Sequence, residues 1–482
     1  MKTELAISAN TLRVGLFGIG LDTYWDQFAG LKERLEGYTR FVEDRLRQPG
    51  VEVINLGLVD TAEKAFDAGE SFRRAGVDIL FLHVTTYALS STVMPVVRRA
   101  KAPVIVLNLA PQSAIDYRAF NALPNRTVMT GEWLASCQSC SIPEIANVFG
   151  RFGISFLEVP GVLHDDPVAW EEIQSWIDAA KVARIMESNR LGVMGHYYSG
   201  MLDIYSDLTR QCATFGGHIE YMEVDELAAL RAAVQEESID DRVSQFHGVF
   251  DVQQDCPPEE LRRAARTSIA LDQLVEKHRL GSMAYYYKGV GNPANEDTMS
   301  SIILGTSLLT ARGIPVAGEY EIKNAQAMKI MDSFGAGGSF TEYYAADFND
   351  DVLLMGHDGP GHLAIAEGKI KVRPLSVYHG KVGCGLSVEM SVKHGAVTLL
   401  AVAEATEGRL KFVFAEGESV PGPILKIGNT NSRYRFPIGV RRFMKEWNAQ
   451  GPAHHCAIGV GHVGEKIKKL AVLLGIEAVR VC

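Results

Sequence analysis

Two stretches of the chain hold residues able to do acid–base or metal chemistry. One is GIPVAGEYEIKNAQAMKIMDSFGAGGSFTEYYAADFNDDVLLMGHDGPGHLA, residues 313–364. Glu319 and Glu321 follow an apolar run there, Glu342 sits among aromatic residues, and His357, Asp358 and His362 close a strand-like VLLMG in a Gly/Pro-rich loop. The other is GPAHHCAIGVGH, residues 451–462, with His454, His455 and His462 among small and apolar neighbours. Singly, a Glu is usually solvated surface and a His after a strand a satisfied core residue. Together, carboxylates and imidazoles at the ends of apolar strands make an O/N donor set for Mn²⁺, Fe²⁺, Co²⁺ or Zn²⁺. Such a site suits a polyhydroxylated substrate: the ion binds neighbouring oxygens while a carboxylate moves a proton.

The elements that position these residues are legible in outline. Arg13–Gly18, Val51–Leu58, Val77–His83 and Ala102–Asn108 read as apolar strands separated by helical stretches, including Gln27–Arg47. That alternation predicts a parallel sheet covered by helices, with ligands at the carboxyl ends of the strands. A second strand–Gly–helix unit begins after the helical Pro167–Ser188, with Arg190–Gly195 (RLGVMG) as its strand, and Pro257–Arg279 is helical. The last 150 or so residues change to short β-branched runs with frequent glycines, such as VTLLAVAEA, RLKFVFAEGES and PILKIGNT. The expected fold is α/β, with two doubly wound parallel-sheet domains (1–165 and 166–325) followed by a mainly antiparallel, barrel-like C-terminal domain (326–482).

Composition narrows the function classes. A length of 482 residues calls for more than one core. The net charge of −10 argues against a nucleic-acid surface. No apolar run reaches membrane-spanning length. The N-terminal MKTELAISAN has polar residues where a signal peptide would be apolar, so it reads as retained. Seven cysteines without framework spacing fit a reducing cytoplasm. The lone C-x-x-C of Cys137 and Cys140 lacks the second pair a structural zinc site needs, a redox role would want it just after a strand at the start of a helix, and it reads as chance or packing. GLFGIGLDTYW has Gly18 and Gly20 but not the full G-x-G-x-x-G fingerprint, and strand two ends without the acidic residue that would hold a ribose. A turn bringing polar groups, Tyr24 among them, to a small ligand fits better.

The segments AGEYEIKNAQAMKIM, GGSFTEYYAADF, LLMGH and GPAHHC, with RLGVMGHYYSGMLD, resemble the L-arabinose isomerase family within the L-fucose/L-arabinose isomerase superfamily. The resemblance implies an aldose–ketose isomerase that interconverts L-arabinose and L-ribulose, or a related pair, through a cis-enediol. It implies Glu319 and Glu342 as the catalytic carboxylates, and Glu319, Glu342, His357 and His455 as ligands of Mn²⁺ or a similar divalent ion. Either glutamate serves as the carbon base. Gln138, Tyr24 and Lys323 become candidate substrate contacts. The family implies a homotrimer or homohexamer in which the CQSCSIPEIAN stretch approaches a neighbour's site. Arabinose isomerases typically place Gly-Asp-Trp-Lys-Thr after the first glutamate, where this chain has Tyr320-Glu321-Ile322-Lys323-Asn324. The reaction type is therefore better indicated than the sugar.

Two other readings stay open, a non-catalytic sugar-binding protein on the same fold and a nicotinamide-dependent dehydrogenase. Sugar binding indifferent to chelator would favour the first, and NADH fluorescence titration decides the second. Of the C-terminal histidines, one ligand is expected. His455→Ala should lose both bound metal and activity, whereas His462→Ala should keep the metal, as measured by metal content after dialysis.

Overall fold

LRVGLFGI is apolar on both sides of the chain, as a strand buried on both faces requires. It forms β1 (Leu12–Ile19) in the computed structural model, which describes residues 11–375 and 385–482. The stretch searched for a signal sequence, residues 1–10, lies outside the described residues. β2 (Val51–Val59), β3 (Ile79–Val84), β4 (Val104–Ala110) and β5 (Glu158–Val162) join β1 in an all-parallel sheet of order β2-β1-β3-β4-β5. This sheet belongs to a compact unit, Met1–Arg184. The first helix begins at Leu31 rather than near Gln27, because a 3₁₀ turn (Asp22–Tyr24) and Gly30, in the left-handed conformation, precede it. Gly18 is an internal packing requirement: a Cβ there would lie 2.6 Å from Leu58 and 2.7 Å from Thr39. That accounts for the glycine without invoking a pyrophosphate.

One sequence reading of this unit is corrected. Cys137 and Cys140 are joined in a disulfide rather than paired by chance, with Cα atoms 5.7 Å apart. Cys137 starts a 3₁₀ turn (Gln138–Ser141) that runs into the helix Ile142–Arg151.

The second compact unit, Ile185–Cys482, holds three sheets among its described residues. β6 (Arg190–Gly195), β7 (His218–Met222), β9 (Ser282–Tyr286) and β10 (Val316–Ala317) form a parallel sheet of order β10-β9-β6-β7. The short β8 (Asp251–Val252) pairs with β13 (Lys371–Pro374), which pairs with β14 (Leu386–Glu389). The largest sheet contains β11 (Ser339–Asp347), β12 (Val352–His357), β15 (Gly395–Glu404), β16 (Leu410–Val420), β17 (Thr430–Arg435), β18 (His455–Val460) and β19 (Glu477–Arg480). Its order is β15-β18-β11-β12-β17-β16-β19, and β15 also pairs with β16. It is antiparallel except that β19 runs parallel to β16. The antiparallel character expected of the C-terminal region is therefore observed.

A second expectation fails locally. PILKIGNT does not form a strand, because Pro421 and Pro423 remove ladder donors. Both backbone polar groups of Leu425 are taken instead by the Asn431 carboxamide, at 3.1 and 2.9 Å. β17 starts only at Thr430.

Beside the large sheet, Phe443 is fully buried, stacked on Phe436 with ring centroids 3.5 Å apart and followed by Trp447 at 5.7 Å. Truncating such a ring removes burial and leaves a cavity. Phe443→Ala should lower the unfolding free energy by about 3–5 kcal/mol, read from denaturant midpoints followed by tryptophan fluorescence.

Candidate metal and acid–base site

Glu319 comes from a different sheet than its partners. It follows β10, at the carboxyl end of the parallel sheet, where such sheets place ligands. Glu319 and Tyr320 both adopt left-handed backbone, with φ of 56° and 62°. Each such non-glycine residue costs on the order of 1–3 kcal/mol, so the surroundings must hold it. Tyr320 N donates to Tyr285 O (2.9 Å), Glu321 N donates to Gly318 O (3.0 Å), and the Tyr320 ring is buried edge-on against Tyr197. The reversal brings the Glu319 and Glu321 carboxylates to the two ring nitrogens of one imidazole, His455, before the helix Ile322–Ser333 carries the chain away along β15 and β18.

The other three residues come from neighbouring antiparallel strands. Glu342 of β11 lies directly opposite His455 of β18, and Gly356 of β12 lies opposite Glu342 on the other side. Directly opposed residues share a face with their Cβ atoms about 5 Å apart. Gly356 permits the close pairing with β17, since a Cβ there would be 1.7 Å from Thr430 O. Thr430 then fixes the next residue: its hydroxyl accepts from His357 N (3.0 Å) and donates to His357 O (2.8 Å). Phe340 packs against both His357 and His455, with centroids 4.4 and 4.3 Å away.

The two histidines have their tautomers set by their partners. His357 Nδ1 lies 3.1 Å from the Asp358 carbonyl, which can only accept, so Nδ1 carries the proton. His455 Nδ1 bonds the buried carboxylate of Glu321. With Glu321 ionised, both Nε2 lone pairs are directed inward, 3.2 Å from each other, and His455 Nε2 is 3.5 Å from Glu319 Oε2. Burial raises Glu321 to about 8, so the His455 tautomer follows the protonation of that carboxyl. That Glu319 oxygen is buried and makes no hydrogen bond. Burial, reinforced by each ring's neighbouring imidazole, pushes His357 down to about 4 and His455 to about 3, so both are neutral at physiological pH. Burial raises Glu342 to about 7. For Glu319 burial also acts upward, but the imidazole of His454, 3.6 Å away, and those of His455 and His357 outweigh it, and its pKa is lowered.

The sequence leaves His454 to packing or the outer shell, since both rings could face one ion only across a bulge or a turn. Adjacent residues of an extended strand would face opposite sides, but His454 sits at a bend just before β18. Its ring lies 3.7 Å from that of His455. Its Nδ1 and backbone N both reach Asp203 Oδ2, at 2.6 and 2.9 Å, and its Nε2 is 3.6 Å from Glu319. Burial would lower the His454 pKa, yet the two carboxylates raise it to about 9. Two overlapping trios of ligand-type residues result, Glu319–His454–His455 and Glu342–His357–His455. The four residues proposed as ligands from the sequence all fall within these two trios.

A cleft of about 180 Å³ adjoins the cluster. Its walls include the carboxylates of Glu319, Glu342 and Asp358, the His454 imidazole, and the rings of Tyr198 and Tyr286. Lys323 is buried, with Nζ bonded to Asp203 O at 2.5 Å. It therefore holds the Asp203 turn from behind. Tyr24 and Gln138 belong to the other unit: Tyr24 lies edge-on to Trp25 and Phe28, and Gln138 is buried with Oε1 lacking a partner. His462 bonds the Gly417 carbonyl (3.1 Å), and the buried His362 lies 3.4 Å from Asp332. Sequence reasoning noticed Glu321 without giving it a role, and it missed Asp203. The only signal for Glu321 was a second carboxylate two residues beyond Glu319. Asp203, 251 residues from His454, gave none.

Residues 338–481 match the L-fucose isomerase C-terminal domain family. The match covers the strands that carry Glu342, His357 and His455 and supports the fucose/arabinose isomerase superfamily, without singling out L-arabinose isomerases. No curated protein matches the chain in sequence. Among solved structures, a periplasmic solute-binding protein of an ABC transporter from Actinobacillus succinogenes 130z with bound D-allose is 12% identical, covering 63% of this chain and 83% of that one, at a TM-score of 0.17. A Salmonella D-lactate dehydrogenase is 11% identical over 67% of this chain and 95% of that one, at 0.14. Likenesses this weak carry no argument.

Carboxylates that orient a ligating imidazole typically add about 10–100-fold to metal affinity. Glu321→Gln, nearly isosteric, should weaken binding of a divalent ion by roughly 10-fold or more while leaving the circular dichroism unchanged, as measured by competition with a chelator.

Proposed function

We propose that the protein is a metal-dependent aldose–ketose isomerase acting on a small sugar, L-arabinose or a relative. The observation that carries this reading is the convergence of two neutral, tautomer-fixed imidazoles and two carboxylates beside a polar cleft. The C-terminal match to an L-fucose isomerase domain supports it. The donor set fits a Mn²⁺-like ion: two nitrogen lone pairs face one small space beside a buried carboxylate oxygen that makes no hydrogen bond. Glu319, Glu342, His357 and His455 would hold it. When bound, such an ion supplies Lewis-acid polarisation of the sugar carbonyl and stabilisation of the developing enediolate.

The chain's own groups supply the remaining chemistry. Glu319 and Glu342 both border the cleft, so one can take the proton from carbon while the other moves a proton on oxygen. The isomerisation is proton-neutral overall, and a pair of carboxylates lets one gain what the other gives. His454, held by Asp203, keeps Glu319 oriented and presents a cationic ring to the cleft. Tyr198 and Tyr286 offer faces against which the C–H side of a sugar can pack. The ion is expected to be Mn²⁺, with Co²⁺, Fe²⁺ or Zn²⁺ as substitutes. The working assembly is proposed to be a homotrimer or homohexamer, with Gln138 and Tyr24 of one subunit reaching a neighbour's cleft. Among the described residues, no helix is long and apolar enough to cross a membrane, and we place the protein in the cytoplasm.

Chelated protein should be inert, and adding Mn²⁺ should restore ketose formation from at least one sugar in a panel of pentoses, hexoses and deoxysugars. Glu319→Gln should fall at least about 10³-fold, as expected when a positioned acid–base group is lost. Conversion of no sugar, or full activity in the variant, would refute the reading. Tight sugar binding indifferent to chelator would point to a binding protein instead.

A further inference from the structure

The disulfide in the N-terminal unit is a poor structural staple. It closes a loop of only four residues, and the conformational restriction gained from a cross-link grows with loop length. The turn is also held without it. Ser141 Oγ accepts from Ala88 N (2.8 Å) and donates to Ala88 O (3.0 Å). Ser139 Oγ donates to Asn108 Oδ1 (3.0 Å), and Cys140 N bonds Cys137 O (3.4 Å). The sulfurs therefore stay close whether or not they are bonded, as reversible exchange requires.

The two sulfurs differ in access. Cys137 is 3% exposed, whereas Cys140 lies at the surface. Cys140 also lies two residues before the ten-residue helix Ile142–Arg151, at the positive end of its dipole, which favours a thiolate over a thiol. The other cysteines among the described residues, Cys212, Cys256, Cys456 and Cys482, are free. This one pair is thus singled out, at the carboxyl edge of a parallel sheet.

We propose that Cys137 and Cys140 are a redox-active pair that the folded protein exchanges with low-molecular-weight thiols. A thiolate of the glutathione class attacks the exposed Cys140 Sγ. The Cys137–Cys140 bond breaks, its electron pair leaves on Cys137 Sγ, and a mixed disulfide remains on Cys140. A second thiolate attacks the outer sulfur of that mixed disulfide, releasing Cys140 and one oxidised small-molecule disulfide. The two protons of the thiols end on Cys137 and Cys140, so one protein disulfide and two thiols give one protein dithiol and one small disulfide. Oxidation is the same sequence in reverse, with the small disulfide as oxidant. Gln138, a candidate sugar contact, lies between the two cysteines; any effect on sugar handling rests on the function proposed above, while the exchange does not.

The test incubates the full-length native protein across reduced-to-oxidised glutathione ratios. Acid quenching, alkylation with N-ethylmaleimide and peptide mass mapping then count thiols at the two positions, with circular dichroism followed in parallel. The expected result is a reversible shift from no label to two labels at 137 and 140, with unchanged circular dichroism. Cys137→Ser should trap one glutathione on Cys140, and Cys140→Ser should trap at least ten-fold less on Cys137. A pair that stays oxidised until the chain unfolds, or stays reduced in excess oxidised glutathione, would overturn the proposal. So would equal trapping on both cysteines.

Discussion

Two buried imidazoles face each other with their Nε2 atoms 3.2 Å apart, and both Nδ1 atoms are already engaged. With Glu321 ionised neither ring can donate toward the other, because a backbone carbonyl claims one proton and a carboxylate the other. Burial raises Glu321 to about 8, and a protonated Glu321 would instead donate to His455 Nδ1 and leave that ring's proton on Nε2. Lone pairs brought this close repel unless something electropositive lies between or beside them. Much of the local architecture maintains this confrontation. Thr430 pins the backbone of His357, Phe340 fills the space behind both rings, and the register of β11 against β18 sets Glu342 opposite His455. The arrangement is intelligible as a cation site.

The first carboxylate reaches the same point through backbone strain. Two consecutive left-handed residues that are not glycine are unusual, and they occur where a parallel strand must deliver Glu319 to an antiparallel sheet within the same unit. Where the arabinose isomerase pattern has glycine after the glutamate, this chain has Tyr320, whose buried ring against Tyr197 helps to hold the turn. Glu321 then orients His455 and Asp203 orients His454. The orienting carboxylates thus lie one step behind the groups they serve, as preorganised proton transfer requires.

Much of this was legible in the sequence. Long apolar runs with helical spacers foretold the parallel sheets, because burial on both faces leaves no alternation to misread. Glu319, Glu342, His357 and His455 could be named because the segments around them resemble those of a known isomerase family; their types and clustering alone pointed to a metal site without fixing its ligands. What remained hidden depended on contacts remote in the chain or on local bends. Strand periodicity let only one of His454 and His455 face an ion unless a bulge or turn intervened, and a bend at His454 put both rings beside Glu319. Asp203 could not be found without the fold that carries it to His454. The prolines of PGPILKIGNT signalled the loop and were outweighed by its β-branched residues. The C-x-x-C was discounted for want of a second pair, a sound objection to zinc but none to a bond between the two cysteines.

The central claim is that one ion is shared by residues from two sheets. The most direct measurement is anomalous scattering at the Mn edge from crystals of the reconstituted protein. The account predicts one peak per chain within about 2.0–2.3 Å of a carboxylate oxygen from each of Glu319 and Glu342 and of Nε2 of both His357 and His455. A peak held by Glu319, His454 and His455 with Glu342 and His357 uninvolved, or no peak at saturating Mn²⁺, would contradict it.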